Sequence, residues 1–174
     1  MIDDELSANR RIIDGLFIHA QQRDALGFLS LYAADARLID PVLGCLSGSR
    51  LTTFLHRLFA ALRQFDAEYA VEDVGLRSSR IRVTLRARRE NARKRERLEV
   101  EAHLITRDGI IVSHEVEFDI ARWARIMLPG EKCGWRIYPG WRRRLADIAG
   151  RHFLERSNRR AECTLPRSTV ACPR

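Results

Sequence analysis

The residue whose type and position most clearly suggest chemistry is Asp40, in the stretch LYAADARLIDPVLG at positions 31–44. Side chains alternate between the two faces of a strand, so Asp40 shares a face with the apolar Ala36 and Leu38 and is predicted to point inward. A carboxylate whose pKa is raised by an apolar cavity can act as a general base. Because aspartate before a proline is also typical of an Asx turn, the alternative interpretation is a purely structural one.

The second candidate is His114, in the stretch IIVSHEVEFDI at positions 110–120. By the same alternation His114, Val116 and Phe118 share one face of a strand, while Glu115 and Glu117 share the other. An inward histidine could pair with the aspartate across a cavity or donate a proton there. The alternative is a core histidine bonded to one backbone carbonyl.

The other histidines and the cysteines show no pattern of a metal site. His19 lies in the predicted first helix and is expected to line the same cavity, whereas His103 is expected to face outward. No C-x-x-C pair and no histidine at zinc spacing accompanies the four cysteines, Cys45, Cys133, Cys163 and Cys172. We therefore predict reduced thiols, no metal and no organic cofactor.

Helices and strands follow one another in an order that can bring these candidates together. Apolar residues at helical spacing predict helices at 4–22, 23–32, 49–63, 121–128 and 139–156. Ser49 is the predicted N-cap of the third helix, and Asp119 that of the fourth. A strand that ends at Asp40 lies between the second and third helices, and the loop 41–49 follows it.

Four stretches of period two predict an antiparallel meander at 67–76, 80–88, 97–106 and 110–120. The residues Arg107-Asp108-Gly109 predict its last tight turn, and the residues 91–94 predict a weaker one. Helices that cover one face of a strongly twisted sheet would bend it into a cone with a cavity inside. The predicted fold class is therefore α+β, with N-terminal helices packed on a curved, mostly antiparallel sheet and an extra C-terminal helix.

Composition and charge limit the classes of function that the protein can have. The chain has 174 residues, of which 45% are hydrophobic, enough for one domain with a real core. No apolar run approaches the length of a bilayer span, and the first residues are acidic where a signal peptide would be basic, so a cytoplasmic protein is expected. The net charge of +8 requires nucleic acid and anionic membranes to be considered as partners.

Three stretches of the sequence resemble the nuclear transport factor 2-like superfamily, in particular its SnoaL-like and ketosteroid isomerase-like branch. They are FLSLYAADARLIDPVLGCLSG, EAHLITRDGIIVSHEVEFDIARWARIML and GWRIYPGWRRRLADIAGRHFLE. The resemblance implies a SnoaL-like domain at 1–128 and a C-terminal extension with an amphipathic basic helix at 129–156. Residues 157–174 have no periodicity and two prolines, so a disordered tail is predicted there. The resemblance specifies the fold far better than the chemistry, because one fold hosts many functions.

In the isomerases that this sequence resembles, the aspartate matching Asp40 shuttles a proton between carbons next to a carbonyl. The positions that match the oxyanion donors of that family are Leu16, with Phe17 beside it, and Ala102, and none of these side chains can donate a hydrogen bond. Where related epoxide hydrolases have a further aspartate, this sequence has Val116. These departures argue against a true ketosteroid isomerase.

The leading prediction is a pocket protein that binds a small hydrophobic metabolite and transforms it by isomerisation, cyclisation or hydrolysis, with Asp40 as general base and His114 as its partner. The alternative is a non-catalytic ligand-binding or dimerisation module. The pocket is predicted to be lined from the first and third helices and the concave sheet. Its predicted lining residues are Leu16, Phe17, His19, Leu38, Phe54, Leu58, Ala102, Val116 and Phe118.

The basic residues are predicted to be structural. Arginines on one meander strand, including Arg82 and Arg86, should lie beside acidic rows on the next, which include Glu99 and Glu101, and form ion pairs on the outer sheet face. In the superfamily that this sequence resembles, that face often meets a second subunit, so the resemblance implies a homodimer through it. No aromatic residue is interleaved with these charges for base stacking, which argues against nucleic acid. The basic C-terminal helix is predicted to pack on its own domain, with peripheral membrane contact as the less favoured alternative.

Overall fold

The computed structural model of the chain describes residues 2–89, 96–128 and 140–154. These residues form five helices and six strands in the order α1, α2, β1, β2, α3, β3 to β6, α4, α5. The helices are α1 (Ile2–Gln22), α2 (Ala25–Ser30), α3 (Gly48–Ala61), α4 (Ile120–Met127) and α5 (Trp141–Phe153). The strands are β1 (Tyr32–Asp40), β2 (Gly44–Ser47), β3 (Leu62–Val74), β4 (Ser78–Arg89), β5 (Glu96–Arg107) and β6 (Ile110–Phe118).

The helices form where the apolar spacing predicts them, with small shifts at their ends. Asp24 caps α2, because its Oδ1 accepts a hydrogen bond of 2.9 Å from the N–H of Gly27. Asp119 caps α4 in the predicted way by accepting from the N–H groups of Ala121 and Arg122. The expected N-cap Ser49 is wrong, because α3 already begins at Gly48, so that Ser49 lies inside the first turn.

The six strands form one curved, open sheet in the order β2-β1-β6-β5-β4-β3. All neighbouring pairs are antiparallel except β1 and β6, which run parallel. The predicted meander is confirmed, and its last turn has positive φ at both Asp108 (52°) and Gly109 (72°), as a two-residue type I′ hairpin requires. The short edge strand β2 was not predicted. The turn predicted at 91–94 lies outside the described residues.

The helices α1, α3, α4 and α5 contribute to one hydrophobic core with the concave face of the sheet. The C-terminal helix α5 shares this core, because Leu145, Ala149 and Phe153 are fully buried. The ring of Phe153 lies 5.8 Å from that of Phe54 and 6.0 Å from that of Trp123. The apolar face of α5 therefore packs on its own domain, as predicted, and its arginines face outward.

A buried asparagine ties α1 to the sheet. Asn9 Nδ2 donates to the backbone oxygens of Gly75 (2.8 Å) and Leu76 (3.1 Å), and its Oδ1 accepts from Thr106 Oγ1 (2.8 Å). These bonds link the helix to the β3–β4 turn and to β5, and so fix the angle at which α1 crosses the sheet. Within the described residues, no helix is long and apolar enough to cross a membrane. The predicted tail at 157–174 lies outside them.

Candidate functional site

A cavity of about 170 Å³ lies between the helices and the concave face of the sheet. All of the predicted lining residues line it except His19. Its walls come from the helices α1, α2, α3 and α4 and from the strands β1, β4, β5 and β6. Among the lining residues that the structure describes, only Asp40 and His114 carry ionisable side chains.

Strand pairing explains why these two side chains face the same space. In the parallel pair, Leu38 of β1 lies opposite His114 of β6, and Asp40 follows two residues later on the same face of β1. On the other side of β6, His114 lies opposite Leu104 and Val116 opposite Ala102. The inward direction predicted for both residues from strand alternation is therefore confirmed.

Asp40 closes a turn and lines the cavity at once. Its side chain is buried, and Oδ1 accepts hydrogen bonds of 2.8 Å from the N–H groups of both Val42 and Leu43. Burial raises the pKa of the carboxyl group, and the bonds from Leu43 and Val42 partly oppose that rise. The turn and the pocket interpretations of the sequence are thus compatible, because the turn occupies only one carboxylate oxygen.

His114 is buried and held on one side only. Its Nδ1 lies 2.5 Å from the hydroxyl oxygen of Tyr32, while its Nε2 is buried without a hydrogen-bond partner among the described residues. Burial lowers the pKa of the imidazole from 6.5 to about 4, so the ring is neutral at ordinary pH. No hydrogen bond joins His114 to Asp40, and its partner is a tyrosine hydroxyl instead of the backbone carbonyl considered from the sequence.

Tyr32 is the site residue that the sequence reading missed. It lies buried at the start of β1, and desolvation raises the pKa of its phenol well above the ordinary value. Its ring centroid lies 5.6 Å from that of Phe28. The signal that could have found it is alternation, because Tyr32, Ala36, Leu38 and Asp40 are all buried at even positions of β1. The sequence does not reveal this alternation at Tyr32, because the predicted second helix extends to position 32.

His19 does not line the cavity, and that prediction is wrong. Its Nδ1 lies 3.1 Å from Asp24 Oδ2 at the corner between α1 and α2, where the histidine side chain is 27% exposed. A Cβ at Gly27 would lie only 2.1 Å from the same nitrogen, so the corner needs a glycine. The side chain of His19 at the end of α1 therefore contacts Asp24, the N-cap of α2, instead of the cavity. His103 faces outward, as predicted.

The outer face of the sheet carries the predicted ion pairs. Arg82 lies opposite Glu101 in the β4–β5 register, with 3.7 Å between the charged groups, and is 2.7 Å from Glu72 of β3. Arg97 contacts Glu99 at 2.6 Å, and Arg86 pairs with Glu68. These pairs are largely exposed, so each contributes little to stability. The homodimer expected on this face stays a prediction.

Neither metal ligation nor sequence similarity assigns the site. Within the described residues, no group of three or more His, Cys, Asp or Glu side chains could hold a metal ion. No protein-family model matches the sequence, and no curated protein matches it.

Solved structures do share the fold. A protein with a ketosteroid isomerase-like fold from Catenulispora acidiphila, in complex with trimethylamine, has a TM-score of 0.61 at 16% identity, covering 74% of this chain and 97% of that one. An NTF2-like protein of unknown function from Burkholderia pseudomallei has a TM-score of 0.56 at 20% identity, covering 70% and 98%. An epoxide hydrolase of the LEH-like type from M. tuberculosis has a TM-score of 0.54 at 16% identity, covering 71% and 92%.

This chain therefore has the nuclear transport factor 2-like fold, as the sequence resemblance implied, and it shares that fold with structures described as ketosteroid isomerase-like and NTF2-like. At these identities the likeness describes the architecture alone.

Proposed function

We propose that this protein binds a small hydrophobic molecule in the cavity and that Asp40 acts on it as a general base. The observation that carries the proposal is a buried carboxylate and a buried, half-bonded imidazole in an otherwise apolar cavity. Leaving polar groups inside apolar surroundings costs free energy, and such groups cluster where chemistry uses them.

The size of the cavity limits the ligand. An apolar cavity of about 150 Å³ holds one benzene molecule, so 170 Å³ suits a compound of about one ring. Among the small hydrophobic metabolites that the sequence suggests, such as polyketide, terpenoid or steroid-like compounds, a cavity of this size suits the smallest. A four-ring ligand would need the helices to move apart.

The chemistry that fits Asp40 is proton transfer at carbon. One carboxylate oxygen is engaged by the turn, and within the described part of the chain no donor is hydrogen-bonded to Oδ2. The raised pKa brings the carboxylate closer to the range in which a base removes protons efficiently. The proton taken from a carbon next to a carbonyl can then return to the same or a neighbouring carbon.

The experiment is a melting-temperature screen of one-ring hydrophobic compounds against wild type and Asp40→Asn. A ligand at one hundred times its Kd stabilises the native state by about 2.7 kcal/mol, which is readily measured. For each hit, proton–deuterium exchange in deuterated water is then followed by NMR. We expect exchange with wild type and none with Asp40→Asn, although the variant still binds.

Two outcomes decide between the alternatives. Binding by both proteins without exchange would support the non-catalytic binding module, which shares the same cavity. If no one-ring compound shifts the midpoint of either protein, the cavity is not a ligand site and the proposal fails.

We also propose that two copies associate through the outer face of the sheet. There the arginines of β4 lie beside an acidic row on β5, which in turn lies beside the acids of β6. The apolar Ile39 and Ile105 are 37% and 41% exposed. Rotating one copy by half a turn can place arginines against acids. We expect sedimentation to give a dimer for wild type and a monomer for Ile105→Glu, whereas a wild-type monomer would contradict this.

A further inference from the structure

The hydrogen bond between Tyr32 and His114 can run in either of two directions. Only one of them leaves no more than a single hydrogen-bonding atom unpaired. The phenol has one O–H donor, and a neutral imidazole has one N–H donor and one bare nitrogen. Among the described residues, the hydroxyl of Tyr32 has no hydrogen-bond partner other than His114 Nδ1. The proton positions therefore follow from counting what each arrangement leaves unpaired.

If Nδ1 carries the proton and donates to Tyr32, the phenol O–H is left without an acceptor and Nε2 is a bare acceptor without a donor. If Tyr32 donates to Nδ1, the phenol is satisfied and the N–H at Nε2 is the only orphan. Each unpaired buried group costs free energy, so the second arrangement is favoured. In this arrangement Nδ1 is the acceptor and the ring proton lies on Nε2, since the hydrogen bond at one nitrogen sets the tautomer.

We propose that Tyr32 fixes His114 in the tautomer protonated at Nε2, and that the cavity consequently selects neutral one-ring ligands with a carbonyl oxygen that accepts from this N–H. The inference deepens the proposed function, because it rests on the cavity being a binding site. Tyr32 is not part of the cavity wall and acts through His114, so it is a positioning residue.

Other ligand chemistries fit this donor less well. A hydrocarbon ring fills the cavity but leaves the N–H unpaired. A carboxylate would place a second negative charge in the same buried space as Asp40, and like charges at short range repel. An ammonium group would satisfy Asp40 but offers no acceptor to Nε2. A carbonyl oxygen is neutral, compact and an acceptor only.

The tautomer is tested without any ligand. Long-range proton–nitrogen NMR of uniformly labelled protein distinguishes the protonated from the bare ring nitrogen, and His114→Gln identifies the signals. We expect His114 to carry its proton on Nε2 in wild type and to lose this fixed state in Tyr32→Phe. Tyr69→Phe is the control, because Tyr69 bonds Asp14 instead. A proton on Nδ1 in folded wild type would overturn the proposal.

The ligand class is tested with matched probes of one ring. From the net strength of one hydrogen bond, the affinity of cyclohexanone relative to that of methylcyclohexane should fall about three- to tenfold from wild type to His114→Phe. Tighter binding of cyclohexylammonium than of cyclohexanone would overturn the ligand class, as would a ratio of ketone to hydrocarbon affinity that is the same in wild type and His114→Phe, while leaving the cavity as a binding site. If neither ring binds, the proposed function and the ligand class fail together.

Discussion

The hydroxyl of Tyr32 and Nδ1 of His114 form a buried contact between β1 and β6, although the two residues are not opposite each other in the sheet. Tyr32 pairs with Ile111, and the register shifts between Tyr32 and Arg37. This irregularity in β1 allows the tyrosine at the strand start to reach a histidine further along β6. His114, which lines the cavity, is thus held in place by Tyr32, which does not.

Two replacements of Asp40 should distinguish the effect of its hydrogen bonds in the turn from the effect of its buried charge. In Asp40→Asn the amide oxygen can still accept the two N–H bonds of the turn, and the desolvated charge is gone, so we expect a higher melting temperature at neutral pH. In Asp40→Ala the buried N–H groups of Val42 and Leu43 lose their acceptor, which should cost about 1–3 kcal/mol relative to Asn.

Urea unfolding across pH checks the sign of this effect. Because the pKa of Asp40 is higher in the folded protein than in the unfolded chain, the folded state holds the proton more tightly. The advantage of Asn over Asp should therefore shrink as the pH falls through the folded-state pKa. An Asn variant less stable than wild type at neutral pH would mean that the carboxylate is stabilised by something other than the turn.

His114 should make the protein less stable in mild acid. Its pKa is about 4 in the folded protein and 6.5 in the unfolded chain, so between these pH values the unfolded chain binds the proton and the folded protein does not. A shift of this size corresponds to roughly 3 kcal/mol. We expect the stability of wild type relative to His114→Gln to decrease by about that amount as the pH is lowered across this window. A constant difference between the two proteins would contradict the buried, neutral state of the ring.

Filling the cavity should abolish binding without unfolding the protein. Ala102 lies on β5 in the cavity wall, so the larger side chain of Ala102→Leu can enter empty space. We expect loss of every one-ring ligand at an unchanged or higher melting temperature. Ala149→Leu is the matched control, since Ala149 is fully buried in α5 and does not line the cavity. Overpacking there should cost about 1–3 kcal/mol and leave binding of the folded fraction intact.

Asn9 should matter for stability and not for the cavity. Asn9→Ala leaves the buried hydroxyl of Thr106 and two backbone oxygens without the partner that they have now. The expected loss is about 1–3 kcal/mol in the free energy of unfolding. Thr52→Ala removes an exposed side-chain bond to Gly48 and should change stability by less than about 0.5 kcal/mol. A comparable loss in both variants would argue against the role of Asn9 as a link between α1 and the sheet.

Most of the architecture could be predicted because its signals are local. The period-two stretches, the Asp108-Gly109 turn and the Asp119 cap each depend on a few neighbouring residues, and the structure confirms them. The inward direction of Asp40 and His114 follows from strand alternation alone. The short strand β2 was missed because it has only four residues, and it forms by pairing with β1.

The errors in the candidate site have physical causes of another kind. His19 faces Asp24 because the end of one helix lies beside the cap of the next, a relation that helical spacing does not contain. Tyr32 was assigned to a helix because α2 and β1 are separated by one residue, Leu31. Its contact with His114 depends on a shift in register between strands that are distant in sequence.

That distance has a consequence for the order in which the protein folds. The β3–β4 and β5–β6 hairpins join neighbouring stretches of chain, whereas Tyr32 and His114 are 82 positions apart. Closing so long a loop costs conformational entropy before the contacts that it allows can offset this cost. We therefore expect the meander to form first and β1 to pair with β6 late. Interactions made after the transition state affect mainly the unfolding rate. A ligand of the cavity should therefore slow unfolding in stopped-flow experiments and leave the refolding rate nearly unchanged.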